Sequence, residues 1–154
     1  MSKLNPKLVV FDWDDVITPG AKDGYFACYE FALEKVGVSF PENIKTDRIL
    51  KKWGTNHREE LRELLKEYPE LIEKAAIGFE EAFFGDVFVN SLRIIEGTTE
   101  TLERLSKGHK LAVATGGHPK LLKERIIPKF RIPEVFEIEH FHTRFLEDFN
   151  FVIG

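Results

Sequence analysis

Two kinds of hydrophobic pattern follow one another along this chain and predict strands and helices in different regions. Residues 8–11 form a continuous apolar run, LVVF, which is typical of a short strand buried on both faces. The apolar run at residues 110–114 predicts a second short strand. Between residues 25 and 92 the apolar side chains recur instead at spacings of three and four, which predicts amphipathic helices.

Glycine and proline residues divide the helical region into segments. The spacing predicts helices over residues 25–36, 47–53, 57–68 and 71–84, with an apolar stretch over 87–92. Gly37, Pro69 and Gly85 stand where three of these segments end. Residues 19–92 are therefore predicted to be an all-helical insertion after the first strand. Beyond them, the sequence predicts a helix over residues 99–105, a strand, and another helix that opens at Pro119.

Composition describes a globular protein and narrows its location and partners. Hydrophobic residues make up 43% of the 154 residues and charged residues 31%, with a net charge of −4. This acidic balance argues against a nucleic-acid surface, and no apolar run is long enough to span a bilayer. The N-terminal residues MSKLNPK lack the apolar centre of a secretory signal, so we expect a cytoplasmic protein. Cys28 is the only cysteine and is expected to be a packed structural thiol.

Three carboxylates, Asp12, Asp14 and Asp15, follow the first strand directly. Burying unpaired charges costs several kcal/mol each, roughly, so this cluster should lie where the strand opens into a cleft and a cation can compensate it. Asp12 and Asp14 are two residues apart and can both turn toward one bound ion. The alternative is an ordinary solvated turn.

A second polar turn, Thr115-Gly116-Gly117, follows the strand at residues 110–114. A small hydroxyl residue and glycines between a strand and a helix leave backbone N–H groups pointing outward, which favours anion binding. The alternative is a plain strand-to-helix turn. In a parallel sheet the carboxyl ends of the strands share one edge, so we expect both polar turns to lie there.

The string formed by Asp12, Asp14, Val16 and Ile17 resembles the first motif of the haloacid dehalogenase superfamily, Asp-x-Asp-x-[Thr/Val]-[Leu/Val]. Asp15 and Ile17 depart from the commoner Gly and Leu. The resemblance implies that Asp12 attacks phosphorus and becomes an aspartyl phosphate. It also implies that Asp14 is the general acid and base, and that its main-chain carbonyl helps to hold Mg²⁺. An Asp at this second position indicates phosphate chemistry rather than dehalogenation.

The segment from Ile95 to Gly117 resembles the approach to the second motif of the same family, so Thr115 is expected to bind the transferring phosphoryl group. The third motif is a lone Lys or Arg. Residues 135–138 resemble the strand that precedes it, which favours Arg144 by chain order, with Lys123 and Lys129 as the other candidates.

The fourth motif is an acidic pair after a further strand, and it completes the metal site in the family. Residues 149–153 resemble that strand, but the sequence stops at Gly154 before the expected Asp. Either Asp148 or Glu147 supplies the missing carboxylate, or a shortened C-terminus leaves the metal site impaired.

Taken together, these features predict an α/β fold, with a Rossmann-like parallel-sheet core at residues 1–18 and 93–154 and a helical cap at 19–92. The resemblance implies a Mg²⁺-dependent phosphatase acting on a small phosphorylated metabolite. In it Asp12 and Asp14 are catalytic, Thr115, Gly116 and Arg144 bind phosphate, and Asp12, Asp14 and Asp148 bind the metal. The alternative is a non-catalytic relative that binds a phosphorylated ligand or partner. Phosphotransfer and dehalogenation are weaker alternatives.

Overall fold

The computed structural model describes residues 8–141, and for residues 137–141 it describes the backbone alone. The chain divides into two compact units. One contains residues 1–20 and 92–154, and the other contains residues 21–91. We call them the sheet unit and the helical unit.

The helical unit contains five helices. They are α1 (Ala21–Val36), α2 (Glu42–Lys51), α3 (His57–Leu64), α4 (Ile72–Phe84) and α5 (Asp86–Ser91). A short 3₁₀ turn, Pro69–Leu71, precedes α4. The predicted helical insertion is confirmed, although α1 and α2 begin four and five residues earlier than the apolar spacing indicates. Helix α3 begins after Asn56, whose side chain accepts a hydrogen bond from the Glu59 N–H at 3.0 Å, and it ends before the predicted Tyr68.

Aromatic side chains fill the centre of the helical unit. The Tyr25 ring lies 5.6 Å from the Phe83 ring and 4.9 Å from the Phe88 ring, measured between centroids. Phe79 lies 4.7 Å from Tyr29 on the same basis. These rings bury large apolar areas, so the contacts of α1 with α4 and α5 dominate the packing of this unit.

Polar groups are also buried inside the helical unit. Glu60 is fully buried and accepts hydrogen bonds from the Tyr29 hydroxyl and from the Gly54 N–H. His57 is 4% exposed, and its ring stacks on Phe79. Burial lowers the pKa of His57, because the charged imidazolium is poorly solvated there.

Cys28 also lies in this unit and is fully buried. Burial raises the pKa of its thiol to about 12, because the thiolate is disfavoured in apolar surroundings. The prediction of a packed structural thiol is therefore confirmed.

Within residues 8–141, the sheet unit contains three parallel strands in the order β1 (Leu8–Phe11), β2 (Lys110–Thr115) and β3 (Phe136–Phe141). Helix α6 (Thr98–Ser106) precedes β2 and packs against it. Between β2 and β3, the short helix α7 (Pro119–Leu121) continues through a π-helical turn, Leu122–Ile126, into α8 (Ile127–Phe130). The fold is α/β, with a Rossmann-like parallel sheet and an inserted helical unit, as predicted.

The prediction that β1 is buried on both faces is wrong. Leu8 and Val10, which share one face, are 44% and 54% exposed, whereas Leu111, Ala112 and Val113 of β2 are buried. Among the described residues β1 lies at one end of the sheet and β2 in its middle. An apolar run indicates a strand, but tertiary packing decides which of its faces is covered. In the part of the chain described here, no helix is long and apolar enough to cross a membrane.

Candidate active site

The residue between the two motif aspartates, Trp13, anchors the turn that follows β1. It is 1% exposed, and its ring packs edge to face on Phe136 with centroids 6.1 Å apart. Asp12 on one side of it is exposed, and Asp14 on the other is half-buried. A buried aromatic residue between two aspartates thus fixes the backbone from which both carboxylates project.

The main chain after Trp13 folds back on itself. The Trp13 carbonyl accepts hydrogen bonds from the N–H groups of Val16, Ile17 and Thr18 at 3.2, 2.9 and 3.3 Å. Asp14 and Thr18 also form an isolated bridge between their main chains. Because these bonds close residues 13–18 into one turn, Asp14 is held by backbone geometry that the strand alone would not provide.

The Asp12 carboxylate is exposed and accepts one hydrogen bond, from the Trp13 N–H to Oδ1 at 2.7 Å. Within residues 8–141 no other hydrogen bond or ion pair engages this carboxylate. The bond fixes the orientation of the side chain. A fixed, solvent-facing carboxylate is suited to act as a nucleophile.

Thr115 ends β2 and is 5% exposed. Its Oγ1 accepts a hydrogen bond from the Gly117 N–H at 3.1 Å, which leaves the hydroxyl proton available to donate. A Cβ at position 117 would lie 3.4 Å from that oxygen, at ordinary van der Waals contact. Gly116 and Gly117 are half-buried.

His118 was not singled out from the sequence as a functional residue, yet it shapes this turn. Its Nδ1 accepts a hydrogen bond from the Lys120 N–H at 3.3 Å, so the side chain caps the helix that begins at Pro119. Burial, with a smaller contribution from the Lys120 charge, lowers the pKa of His118. The neutral ring that results can accept at Nδ1. Its signal in the sequence was its position immediately before a helix-opening proline.

The strand register relates the two turns. Phe11 pairs with Val113 in the parallel ladder of β1 and β2. Counting one residue further on each strand sets Asp12 beside Ala114, one residue before Thr115. The acidic turn and the Thr115 turn therefore leave the sheet at the same edge, as the sequence predicted.

Other predicted site residues differ in how far the structure describes them. Lys123 lies in the π-helical turn, and Lys129 lies near the end of the following helix with its Nζ 5.4 Å from the Phe130 ring centroid. Arg144, Glu147 and Asp148 lie outside the described residues. Within the part of the chain that the structure describes, no three His, Cys, Asp or Glu side chains are grouped as a metal site.

The fold and the two turns place the protein in one structural class: α/β proteins with an acidic turn and a hydroxyl-glycine turn at one edge of a parallel sheet. Residues 6–145 match the family described as haloacid dehalogenase-like hydrolase. The chain belongs to the haloacid dehalogenase-like hydrolase family, which confirms the resemblance inferred from its motifs. No curated protein matches the sequence.

Several solved structures share the fold. A candidate phosphatase from Clostridium difficile is 25% identical, with a TM-score of 0.69 over 92% of this chain and 63% of that protein. Protein Tyrosine Kinase A from Mycobacterium tuberculosis is 25% identical, with a TM-score of 0.65 over 92% of this chain and 62% of that one. A predicted phosphoglycolate phosphatase from Haemophilus somnus is 21% identical, with a TM-score of 0.69 over 94% and 65% of the two chains. The chain thus spans less than two thirds of the length of these three proteins.

Proposed function

We propose that this protein is a phosphatase that hydrolyses a small phosphomonoester through an aspartyl phosphate on Asp12. The observation that carries the proposal is the sheet edge shared by the exposed Asp12 carboxylate and the Thr115 turn. A fixed carboxylate next to a turn with a hydroxyl and small residues suits covalent phosphoryl transfer. Membership of the hydrolase family and the phosphatase names of two similar structures support it.

Two steps with balanced proton transfers make up the proposed reaction. In the first, an Asp12 oxygen attacks phosphorus, the bond to the ester oxygen breaks, and Asp14 gives its proton to that leaving oxygen. In the second, Asp14 takes a proton from water while the water oxygen attacks phosphorus. The bond to Asp12 then breaks, and inorganic phosphate leaves. The Thr115 hydroxyl and the Gly116 N–H are the proposed donors to the phosphoryl oxygens.

Mg²⁺ belongs to the proposal because the donors available at this edge are oxygen atoms, the ligands this ion prefers. The Asp12 carboxylate and the Asp14 main-chain carbonyl would hold it, with Asp148 as the proposed third protein ligand. When bound, the ion would balance the negative charge of the phosphoryl oxygens. Arg144 is the proposed side-chain cation for the same oxygens. A Mg²⁺ titration of activity in Asp148→Asn, expected to need more Mg²⁺, tests the third ligand.

The domain assignment is also part of the proposal. We assign the catalytic core to residues 1–18 and 93–154 and the cap to residues 19–92. The assigned core boundary lies within two residues of the division between the two compact units. A cap that closes over a phosphate site excludes water and limits substrates to small molecules.

The test is phosphate release from an aryl phosphate such as p-nitrophenyl phosphate, with and without Mg²⁺. We expect turnover that a metal chelator abolishes. Asp12→Asn should abolish it too, because an amide cannot serve as the nucleophile. Asp47→Asn makes the same chemical change at an exposed position of α2 and should keep the wild-type rate. Wild-type turnover in Asp12→Asn would refute the assigned chemistry.

A second candidate function is the binding of a phosphorylated ligand without turnover. It is favoured by the lack of a three-carboxylate metal site within the described part of the chain. The two functions differ in one measurement. A protein that releases no phosphate from a panel of esters, but binds inorganic phosphate by calorimetry, with Thr115→Val weakening that binding, would be a binding protein.

A further inference from the structure

Asp15 has a backbone conformation that L-amino acids adopt at a cost. Its φ is +59°, in the left-handed region. Among residues 8–141 the only other non-glycine residue with positive φ is Arg131. The left-handed conformation costs an L-residue roughly 1–2 kcal/mol relative to the right-handed one, although Asp tolerates it better than most. Such a conformation persists where other contacts of the residue compensate for it.

The contacts of Asp15 join the beginning and the end of the acidic turn. Its Oδ1 accepts a hydrogen bond from the Gly20 N–H at 2.9 Å, and its own N–H donates to the Thr18 carbonyl at 3.2 Å. Gly20 also has a positive φ, +101°, and directly precedes α1. A single side chain therefore ties the turn after β1 to the last residue before the helical unit.

A further hydrogen bond continues from this point to the returning chain. The carbonyl of Pro19, the neighbour of Gly20, accepts from the Arg93 N–H at 2.9 Å. Pro19 lies where the chain leaves the sheet unit, and Arg93 lies where it comes back. Consecutive residues of the outgoing chain are thus held by Asp15 on one side and by the returning chain on the other.

We propose that Asp15 is a positioning residue for the carboxylates of Asp12 and Asp14. Its side chain bonds to the Gly20 N–H and so ties the turn of residues 13–18 to the outgoing linker, whose residue Pro19 in turn bonds to the returning chain at Arg93. The kinetic half of this inference rests on the proposed function, because it needs Asp12 and Asp14 to do the chemistry. The proposed phosphate-binding residues Thr115 and Gly116 lie at the end of β2 and not in this turn, so loss of the Asp15–Gly20 bond should lower kcat and leave KM nearly unchanged.

Two substitutions separate the effect of the Asp15–Gly20 hydrogen bond from the effects of the Asp15 charge and of its positive φ. Asp15→Gly removes the side chain but adopts positive φ freely. Asp15→Asn removes the charge, tolerates positive φ, and keeps an Oδ1 that can accept from Gly20. We expect Asp15→Gly to lower kcat for p-nitrophenyl phosphate about tenfold to a hundredfold, the range expected of misplaced catalytic groups. Asp15→Asn should restore most of that loss, and Asp47→Asn should change nothing.

Amide hydrogen exchange at Gly20, followed by NMR, provides a readout that is independent of activity. In Asp15→Gly the Gly20 N–H loses its acceptor and should exchange at least about tenfold faster, since tenfold corresponds to roughly 1.4 kcal/mol. The amides of β2 should keep their wild-type rates, and Asp15→Asn should restore protection at Gly20.

The outcomes are distinct. An unchanged amide exchange rate at Gly20 in Asp15→Gly would show that the Asp15 side chain does not hold the turn, whatever the kinetics show. An Asn variant as impaired as the Gly variant in both readouts would assign the effect to the charge and also overturn this role of the hydrogen bond. Faster exchange with an unchanged kcat would overturn the positioning role. If the wild-type protein hydrolyses no phosphate ester, the proposed function and the kinetic half fail together, while the exchange experiment still decides whether Asp15 holds the turn.

Discussion

Gly24 of α1 lies so close to Phe88 that replacing it with alanine tests the packing of the helical unit. A Cβ at position 24 would lie 2.8 Å from Cδ2 and 3.1 Å from Cε2 of the Phe88 ring, and 3.3 Å from its carbonyl oxygen. Phe88 is 2% exposed and is surrounded by other rings, so it has little room to move. The perturbation is a single methyl group added to a filled site.

Two opposing effects decide the sign for Gly24→Ala. Alanine is favoured over glycine inside a helix by about 1 kcal/mol. Overpacking a filled core costs typically about 1–3 kcal/mol, and 2.8 Å is shorter than Cβ atoms ordinarily approach a carbon. We therefore expect Gly24→Ala to lower the free energy of unfolding by about 1 kcal/mol net.

Gly78 of α4 provides the matched comparison. A Cβ there would lie 3.3 Å from the Ala32 Cα and from Cβ and Cγ of Lys35. All three distances exceed 3.0 Å, so a shift of a few tenths of an ångström relieves them, in contrast to the 2.8 Å contact at position 24. The helix preference and the contact cost are then similar, so Gly78→Ala should change the free energy of unfolding by less than about 0.5 kcal/mol.

The assay is urea unfolding of the full chain, followed by circular dichroism and by tryptophan fluorescence. Trp53, whose ring lies 5.8 Å from Tyr25, reports on the helical unit, and Trp13 adds a signal from the sheet unit. In a Phe88→Leu background the methyl group has room, and Gly24→Ala should become neutral or stabilising. A stabilising Gly24→Ala in the wild-type protein, or a cost that persists in the Phe88→Leu background, would refute the packing argument.

Two further predictions concern buried polar groups. Thr18 is fully buried, and no group within residues 8–141 pairs with its Oγ1, so Thr18→Val should raise the free energy of unfolding by about 1 kcal/mol in urea titrations. A decrease of similar size in the free energy of unfolding would show that the Thr18 hydroxyl is hydrogen-bonded. Burial lowers the pKa of His57 below its ordinary value, so below about pH 6.5 the unfolded chain binds more protons and stability should fall on acidification. Urea midpoints between pH 8 and pH 5 should show a smaller fall in His57→Asn, and an equal fall in both proteins would exclude His57 as the cause.

The helices were predictable from apolar spacing, and Gly37 and Gly85 marked the ends of α1 and α4, whereas the starts of α1 and α2 were not predicted. Apolar residues in α1 begin to recur at Tyr25, but the helix begins four residues earlier, at Ala21, directly after Gly20. Helix α2 has one fully buried residue, Ile49, so its apolar pattern is weak over its first turns. Spacing reports the buried face of a helix, and capping contacts decide where the helix begins.

The covering of β1 could not be predicted from its residues. The run LVVF predicted burial on both faces, yet Leu8 and Val10 are among the exposed large hydrophobic residues. The π-helical turn after α7 was also missed. It ends just before Pro128, which has no N–H to donate, and the Ile127 N–H bonds to the Leu122 carbonyl five residues earlier. Pro128 indicates a disturbed helix at this position, but nothing in the sequence specifies that the helix widens into a π-helical turn before it.

The candidate site was predictable to the extent that it is local in sequence. Asp12, Asp14 and Thr115 follow strands or end them, and the parallel register brings both turns to one edge. A lone Arg and a lone Asp have no comparable pattern, so Arg144 and Asp148 stay predictions from chain order.

Trp13 shows what a motif pattern leaves out. In Asp-x-Asp the aspartates attract attention because they carry the chemistry, and the residue between them is treated as variable. In this protein it is the buried member of the three, and its carbonyl is the acceptor for three N–H groups of the turn. Its own N–H also orients the Asp12 carboxylate. Trp13 lies beyond β1, and on either side of this buried residue Asp12 is exposed and Asp14 is half-buried. The placement of the polar pair therefore depends on an apolar residue and on backbone bonds, neither of which the motif specifies.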